Sequence, residues 1–515
     1  MIRENKTSLQ EDTAVTVARG TSHIFLLSIA VNLISAGTFA VIARVVTTGE
    51  MGVISILIFY NGLCRLLSSL GMAGAVTKFV AEHRAKGDLE RAAAVFYQAI
   101  KITFAISILI AFATFLMARQ MSLTFLGEET GTKLFELFSV DIVAGALLSI
   151  LNGSLVGLQK TRDLSLINVG YYSARGMLTS LLVFMLEPLK GIVLAWIVSD
   201  SMATGLLFIY NWRQLRIPKR SFGYGELTRF SFPLYVQDIV NFANGWFDRA
   251  ILFAYSSLSA AGIYFTATTA FGVVATFPGA IATALLPAYS GLYGSRGREA
   301  MQDAMRSASR YVCLTATPLA FGMLATARPA LTLFVGESYA EGSLPLMILS
   351  LFFGLTLVST SLGGVPLAIG DTMLSLKLAV TNIVSGATLA LLFLPGLQTP
   401  GVAMAKGTAM VITLLMTIVL IRKKIAVVID CEALSKSLLA SIPMVAIVQL
   451  SQILLYSRFL LPVYVLAGGI TYLTALRCLH AVRSSDVELV RKFLGHRFES
   501  AIAHMERFVT STNTQ

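Results

Sequence analysis

A chain of 515 residues that is 56% hydrophobic and only 13% charged, with a mean hydropathy of +0.75, is far too apolar for a water-soluble domain, where about a quarter of residues are charged. Its net charge of +12 would suit a nucleic-acid partner, but the Lys and Arg fall almost entirely in loops on one side of a series of apolar stretches, which excludes that reading. Backbone in hydrocarbon must satisfy its own hydrogen bonds, so the stretches are read as spanning helices and not as open strands.

A span needs roughly 20 mostly apolar residues. In chain order the first set lies near 22–45, 51–75, 95–119, 134–158, 164–186 and 191–211. A second set lies near 230–255, 262–288, 309–335, 344–369, 373–394 and 401–421, and two more spans follow near 435–456 and 460–480. The expected fold is an all-α polytopic membrane protein of about fourteen helices. The first apolar run is longer than the h-region of a cleaved signal and reads as a signal anchor. With the N-terminus inside, the inner loops hold Lys78, Arg84, Lys86 and Arg91, then Lys160 and Arg162, then Arg213, Arg216, Lys219, Arg220 and Arg229. They continue with Arg296, Arg298, Arg306 and Arg310 and with Arg422, Lys423, Lys424 and Lys436. The outer loops hold only Arg44, Arg119, Lys133, Lys190, Arg328 and Arg458. This asymmetry puts both termini in the cytoplasm of a multi-pass protein of the cell membrane.

The chain repeats itself at an offset of about 210 residues, the length of six spans with their loops. Gly52 pairs with Gly262, Lys86-Gly87 with Arg296-Gly297, and Phe125-Leu126-Gly127-Glu128 with Phe334-Val335-Gly336-Glu337. Leu164-Ser165 pairs with Leu374-Ser375 and Gly191 with Gly401. Six spans return the chain to the same side, so the two units share one topology and should be related by an axis along the membrane normal. The expected organisation is a six-helix lobe over 1–211, a basic linker 212–229, a second lobe over 230–425, a helix pair over 426–480 and a cytoplasmic tail over 481–515. In the tail, Val487, Val490, Leu494, Phe498, Ile502, Met505 and Phe508 form an apolar stripe, capped by Ser485 or Asp486. That helix either lies in the interface or packs on the bundle.

No proline precedes Pro188, whereas Pro233, Pro278, Pro287, Pro318 and Pro366 interrupt the second half. Each removes a helix hydrogen bond, so Pro278, Pro318 and Pro366 are candidate hinges, with static kinks as the simpler account. The four cysteines, Cys64, Cys313, Cys431 and Cys478, form no CxxC and read as buried free thiols. Outer loops are too short for a catalytic domain. No zinc-ligand spacing, P-loop, GxSxG or HExxH is present, and the histidines are scattered, so neither an enzyme nor a metal or cofactor is expected.

Charges within spans are costly and by default functional. Lys101 and Lys377 lie near inner ends and can snorkel. Arg44 and Arg249 sit near the outer ends of the equivalent first and seventh spans, where each either snorkels or caps a cavity. Lys406 lies several residues into span twelve. Arg65 and Arg175 are deeper, more than two turns from either end of their spans, and Asp200 reaches the depth of Arg175, so those two can neutralise one another. Arg65 has no carboxylate in its own span, and Asp141, Asp238 and Asp248 are the other buried acids, available as charge partners or for coupling. Asp248 and Arg249 point about 100° apart on their helix and need not pair. An excess of buried cations suits an anionic substrate bearing a phosphate or diphosphate, which an arginine fork recognises.

Several segments carry a family resemblance. Ala18-Arg19-Gly20, Ile42-Ala43-Arg44, Gly49-Glu50-Met51-Gly52 and Leu70-Gly71-Met72 stand in the first half. Phe247-Asp248-Arg249 followed by Ala261-Gly262-Ile263-Tyr264, then Leu285-Leu286-Pro287-Ala288-Tyr289-Ser290, Phe334-Val335-Gly336-Glu337 and Ile369-Gly370-Asp371, stand in the second. In order and on these spans, the chain resembles the Wzx-type polysaccharide-biosynthesis flippases, within the MATE-like superfamily of multidrug exporters and lipid II flippases. The resemblance implies two six-helix lobes working by alternating access, with a polyprenyl- or dolichyl-linked oligosaccharide as cargo. It also implies a helix pair lining a groove for the lipid tail, and glycosyltransferase or polymerase partners. Coupling to H+ or Na+ stays open. The rival readings are a cation-coupled small-molecule exporter, disfavoured because 22–44 holds no acid, and a non-transporting scaffold for glycan assembly.

Overall fold

The turns decide where the helices stop, and most of them carry a residue with positive φ or a capping side chain. In the computed structural model, which describes residue 27 and residues 29–129, 131–219, 222–483 and 486, no strand occurs among the described residues. The first helix, α1, is Ile29–Val45. It is followed by α2 (Thr48–Ser69), α3 (Met72–Ala85), α4 (Leu89–Leu116), α5 (Ala118–Leu126), α6 (Thr132–Gly157), α7 (Thr161–Met185) and α8 (Pro188–Gln214). Next come α9 (Tyr224–Tyr255), α10 (Leu258–Phe334), α11 (Ser343–Thr356), α12 (Val358–Leu362), α13 (Val365–Ala368), α14 (Thr372–Arg422), α15 (Cys431–Leu454) and α16 (Leu461–Cys478). Among the described residues, nine helices are long and apolar enough to cross a membrane. Split at Gly297 in α10 and Gln398 in α14, where the backbone leaves helical geometry, the helices supply a segment at every expected span. The protein is a multi-pass, all-helical membrane protein.

Two expected spans are broken. The span at 51–75 stops at Leu70 and Gly71, whose φ values of 44° and 72° divide α2 from α3. The span at 344–369 is cut into α11, α12 and α13, and Pro366 stands in the first turn of α13, where its missing N–H costs nothing. Pro278 and Pro318 lie inside the two arms of α10. Pro395 and Pro400 flank the break at Gln398. Thr47 and Glu50 form a reciprocal capping box that starts α2, which gives the Gly49-Glu50-Met51-Gly52 turn a local physical role. Asp88 and Asp371 cap α4 and α14 singly, each accepting from a backbone N–H three residues on. Beside the first of these turns, the hydrogen bond from Lys86 and the charge of Lys78 hold the exposed Glu82 carboxyl down at about 2.

The internal repeat has a backbone signature. Gly87 and Gly297 both turn the chain with φ near 75–80°, and Gly127 and Gly336 do so at the next matched loop. Gly191 and Gly401 explain themselves by close approach. A β-carbon would lie 2.4 Å from the Leu182 carbonyl oxygen in the first case and 2.6 Å from the Phe393 carbonyl oxygen in the second. The same helical hairpin closes in both repeats only because a hydrogen stands at that point.

The chain forms two compact units, 1–243 and 244–515. The division falls inside α9, later than the linker at 212–229, because the first half of α9 packs into the first unit. Phe222, Leu227 and Phe230 join Phe79, Phe96 and Leu151 in its core, and Phe230 meets Phe79 edge-on at 5.1 Å. The second unit has a core around Tyr289, Met301, Met305 and Leu362. There α15 and α16 pack on α10 through Ala440, Met444, Tyr472 and Leu476 with Leu314 and Phe321. Cys64 and Cys313 are buried free thiols, as expected, while Cys431 and Cys478 are exposed free thiols at helix ends. The amphipathic tail at 484–510 lies outside the described residues apart from Asp486.

Candidate functional site

Each unit holds a network of charged side chains deep between its apolar helices. In the first unit, three helices each present a polar pair at i, i+4, which puts both members on one face. The pairs are Asn61 and Arg65 on α2, Tyr171 and Arg175 on α7, and Trp196 and Asp200 on α8. They converge on Asp200, which is fully buried. One carboxylate oxygen accepts from Arg175 Nη1 at 2.7 Å and from the Tyr171 hydroxyl at 2.6 Å. The other accepts from Arg65 Nη2 at 2.5 Å. Arg175 also stacks over the Trp196 ring at 4.9 Å, a cation–π contact that replaces part of its lost hydration. Asp141 of α6, fully buried, accepts from Asn61 at 2.8 Å and lies 3.9 Å from Arg65. Two arginines thus face two aspartates and the network is neutral. The first unit has no excess of buried cations, because the balancing acids arrive from α6 and α8, far along the chain from Arg65. Arg65 itself sits one turn before the break at Leu70.

Gly145 of α6 lies directly under the Arg65 guanidinium, and a β-carbon there would be 2.4 Å from Nε. The guanidinium is the far end of a flexible side chain, so Gly145→Ala should push it off Asp200 and leave the fold intact. The expected result is a Tm lower by roughly 3 °C, the loss of one charge-assisted hydrogen bond worth about 1.5 kcal/mol, with loss of whatever activity depends on Arg65. A thermal melt beside a transport assay checks it.

The second unit is unlike the first. Asp248 of α9 is fully buried and accepts from Lys406 Nζ of α14 at 2.7 Å and from the Tyr264 hydroxyl of α10 at 2.9 Å. Arg249 stays at the margin of pairing, with Nε 4.0 Å from Asp248, and stacks on Trp246 at 4.3 Å. Two cations here face one carboxylate. Nearby on the same helices, Asn382 donates to Asn244 at 2.6 Å and accepts from Thr413 at 3.2 Å.

The structure therefore brings Arg65, Arg175, Asp141 and Asp200 together, and separately Asp248, Arg249 and Lys406. Arg44 is exposed at the end of α1, and Lys101 and Lys377 are exposed on α4 and α14. Asp238, expected to be buried, is exposed on α9 because its face of that helix is uncovered within the first unit. Residues that sequence reasoning passed over are Asn61, Tyr171, Trp196, Tyr264 and Asn382. The i, i+4 spacing of the first three with a charged residue was the available signal. Among the described residues, no group of three or more His, Cys, Asp and Glu could hold a metal ion.

A family profile described as "Polysaccharide biosynthesis protein" matches residues 41–344. Comparison with curated proteins gives no match. Among solved structures, a lipid II flippase MurJ in an inward closed conformation is 16% identical, with a TM-score of 0.69 over 92% of this chain and 100% of that one. An inward-facing MATE family multidrug transporter of the MOP superfamily is 14% identical, with a TM-score of 0.65 over 78% of this chain and 97% of that one. A MOP superfamily transporter from Pyrococcus furiosus, described by the reverse polarity of its binding pocket, is 14% identical, with a TM-score of 0.53 over 79% of this chain and 92% of that one. At these identities the likeness establishes the fold, which is that of the MATE-like transporters. Matched over more than half its length, the chain belongs to the polysaccharide biosynthesis protein family.

Proposed function

We propose that the protein is a flippase for a lipid-linked oligosaccharide, working by alternating access and holding a phosphate or diphosphate through a buried arginine, Arg249 or Arg65. The observation that carries this reading is the donor capacity left over. The Nε atoms of Arg65 and Arg249 are buried and make no hydrogen bond, and the second network keeps one positive charge beyond its carboxylate. A phosphate is the ligand whose oxygens accept from a guanidinium and whose charge offsets that excess. The family supports a glycan cargo moved from the inner to the outer leaflet, the fold supports movement of a lipid, and the distribution of basic loops supports both termini inside.

The test is transport of a labelled polyprenyl-diphosphate sugar in proteoliposomes. Arg249→Gln leaves the Asp248–Lys406 pair intact and removes the excess cation. Transport should fall at least about tenfold, the effect of ~1.4 kcal/mol, with an unchanged Tm. Wild-type rates in both Arg249→Gln and Arg65→Gln would remove the phosphate assignment. In cells lacking the gene, lipid-linked oligosaccharide should accumulate on the inner leaflet and surface glycan should be lost. Intact surface glycan with no trapped precursor would favour the small-molecule exporter or the glycan-assembly scaffold.

A second feature bears on the driving force. The Oδ1 atoms of Asn61 and Asp141 are buried acceptors without a donor. They offer a proton or Na+ a place beside the arginine network. If coupling runs through them, Asp141→Asn abolishes gradient-driven transport and spares exchange down a cargo gradient.

A further inference from the structure

A groove of about 920 Å³ runs along the outer surface of the first unit between α4, α6 and α8. Its walls are aromatic, with Phe104, Phe112 and Phe208 each more than 40% exposed, and its floor is small, with Ala144 and Gly205. At Gly205 an added β-carbon would meet nothing within 4 Å, so the floor is open and not occupied by neighbouring side chains. The volume lies at the upper end of the ~300–1,000 Å³ of ligand sites.

The groove has a charged end. Lys101, Ile108, Phe112 and Phe115 stand at i, i+7, i+11 and i+14 and share one face of α4. The last three line the groove, and Lys101 is exposed at its head. No ion pair of Lys101 occurs among the described residues. Residues 102–118 carry no charge, and α4 rises about 23 Å at 1.5 Å per residue from Lys101 to its end at Leu116, most of the ~30 Å hydrocarbon thickness. Lys101 therefore lies at one membrane interface. From it, the apolar lining continues to Phe115, roughly 21 Å away. A single leaflet offers about 15 Å, half the hydrocarbon core.

We infer that this groove is a docking site for the isoprenoid chain of a polyprenyl-phosphate-linked cargo, with the phosphate against Lys101 before it passes to a buried arginine. The inference rests on the flippase reading and goes beyond it by placing the tail. Depth chooses the occupant. The tails of a phospholipid end near the midplane, whereas the groove continues past it, as a longer single chain requires.

The test measures retention of a long-chain polyprenyl phosphate, a short-chain prenyl phosphate and phosphatidylglycerol on the full chain by native mass spectrometry. The wild type should hold the long-chain phosphate most tightly. Gly205→Phe, whose β-carbon meets nothing within 4 Å, puts a ring in the groove and should reduce its affinity about tenfold, to the short-chain level. Lys101→Gln should weaken both prenyl phosphates about fivefold, the value of one interfacial cation of ~1 kcal/mol. Equal competition by phosphatidylglycerol, or unchanged retention in both variants, would overturn the inference. The two readings fail separately in the proteoliposome assay. A wild type that flips the cargo while Gly205→Phe binds it normally removes the groove alone. A wild type that holds the long chain in a Gly205-dependent manner yet moves no lipid-linked sugar removes the flippase and leaves the groove.

Discussion

Asp200→Ala should be the most damaging single change in the first unit. Asp200 is the shared acceptor of Arg65, Arg175 and Tyr171, at 2.5 Å, 2.7 Å and 2.6 Å. Removing it turns a neutral network of two arginines and two aspartates into one with a net positive charge. Arg65 then retains only Asp141 at 3.9 Å, and Arg175 keeps only its ring contact and Tyr171. Breaking a buried pair by deleting one partner costs about 3 kcal/mol or more, because the surviving charge stays desolvated. Arg65 is one-third exposed, which places the effect at the lower end. At about 2 °C per kcal/mol for a unit of this size, Tm should fall by roughly 6 °C, and transport should be lost. The double variant Asp200→Ala with Arg175→Leu restores neutrality and should recover much of the Tm but not the transport. If Asp200→Ala alone melts like wild type, the network does not bear on stability in the way its geometry indicates.

The second large effect lies in the other unit. Arg310 of α10, which the sequence offers as one more loop cation, is almost fully buried. Its Nε donates to both carboxylate oxygens of Asp486 at 3.0 Å and 3.1 Å, and its Nη2 donates to Asp486 at 2.6 Å and to the Ala481 carbonyl at 2.6 Å. Its Nη1 reaches Asp430 at 3.3 Å. One guanidinium thus ties the ends of α15 and α16 to α10. Asp486, one of the two residues the sequence offers as a cap for the tail, is its principal partner. Arg310→Ala leaves two buried carboxylates without their shared cation and should cost about 3–5 kcal/mol, or roughly 6–10 °C in Tm. Hydrogen exchange should rise first in α15 and α16. Arg310→Lys, a point charge without the planar fork, should recover only part of the loss. A melt unchanged by Arg310→Ala would show that apolar packing around Tyr472 and Met444 is sufficient to seat the pair.

Much of the architecture is legible in hydropathy because hydrocarbon admits one local solution. Every spanning segment must satisfy its own backbone, so an apolar run of sufficient length is a helix wherever it occurs. The repeat is legible for a related reason. Gly87 and Gly297 are needed at left-handed turns, and Gly191 and Gly401 where a carbonyl passes within reach of a β-carbon, so the same constraint left the same residue at one offset. Finer backbone events are harder to read. The break at Leu70–Gly71 falls inside the stretch 51–75 that hydropathy reads as one span, and hydropathy does not register a change of φ.

The charged sites divide along the same line. Which residues are costly in the membrane follows from composition, and Arg65, Arg175, Asp200, Asp248, Arg249 and Lys406 could be named from it. The Arg175–Asp200 pair, 25 residues apart on neighbouring spans, was within reach of that reasoning. The remaining partners were not, since Arg65 meets Asp200 across 135 positions, Lys406 meets Asp248 across 158 and Arg310 meets Asp486 across 176. A local pattern carries no information about helices that far apart. The sequence by itself determined a polytopic helical bundle of two repeated units with ionisable groups at depth, because each of those properties is a demand of the bilayer on a single segment. Only the tertiary structure decided that the first network is neutral, that the second retains a cation, and that a groove headed by Lys101 lies on α4, α6 and α8, because charge balance and concavity are properties of helices packed together.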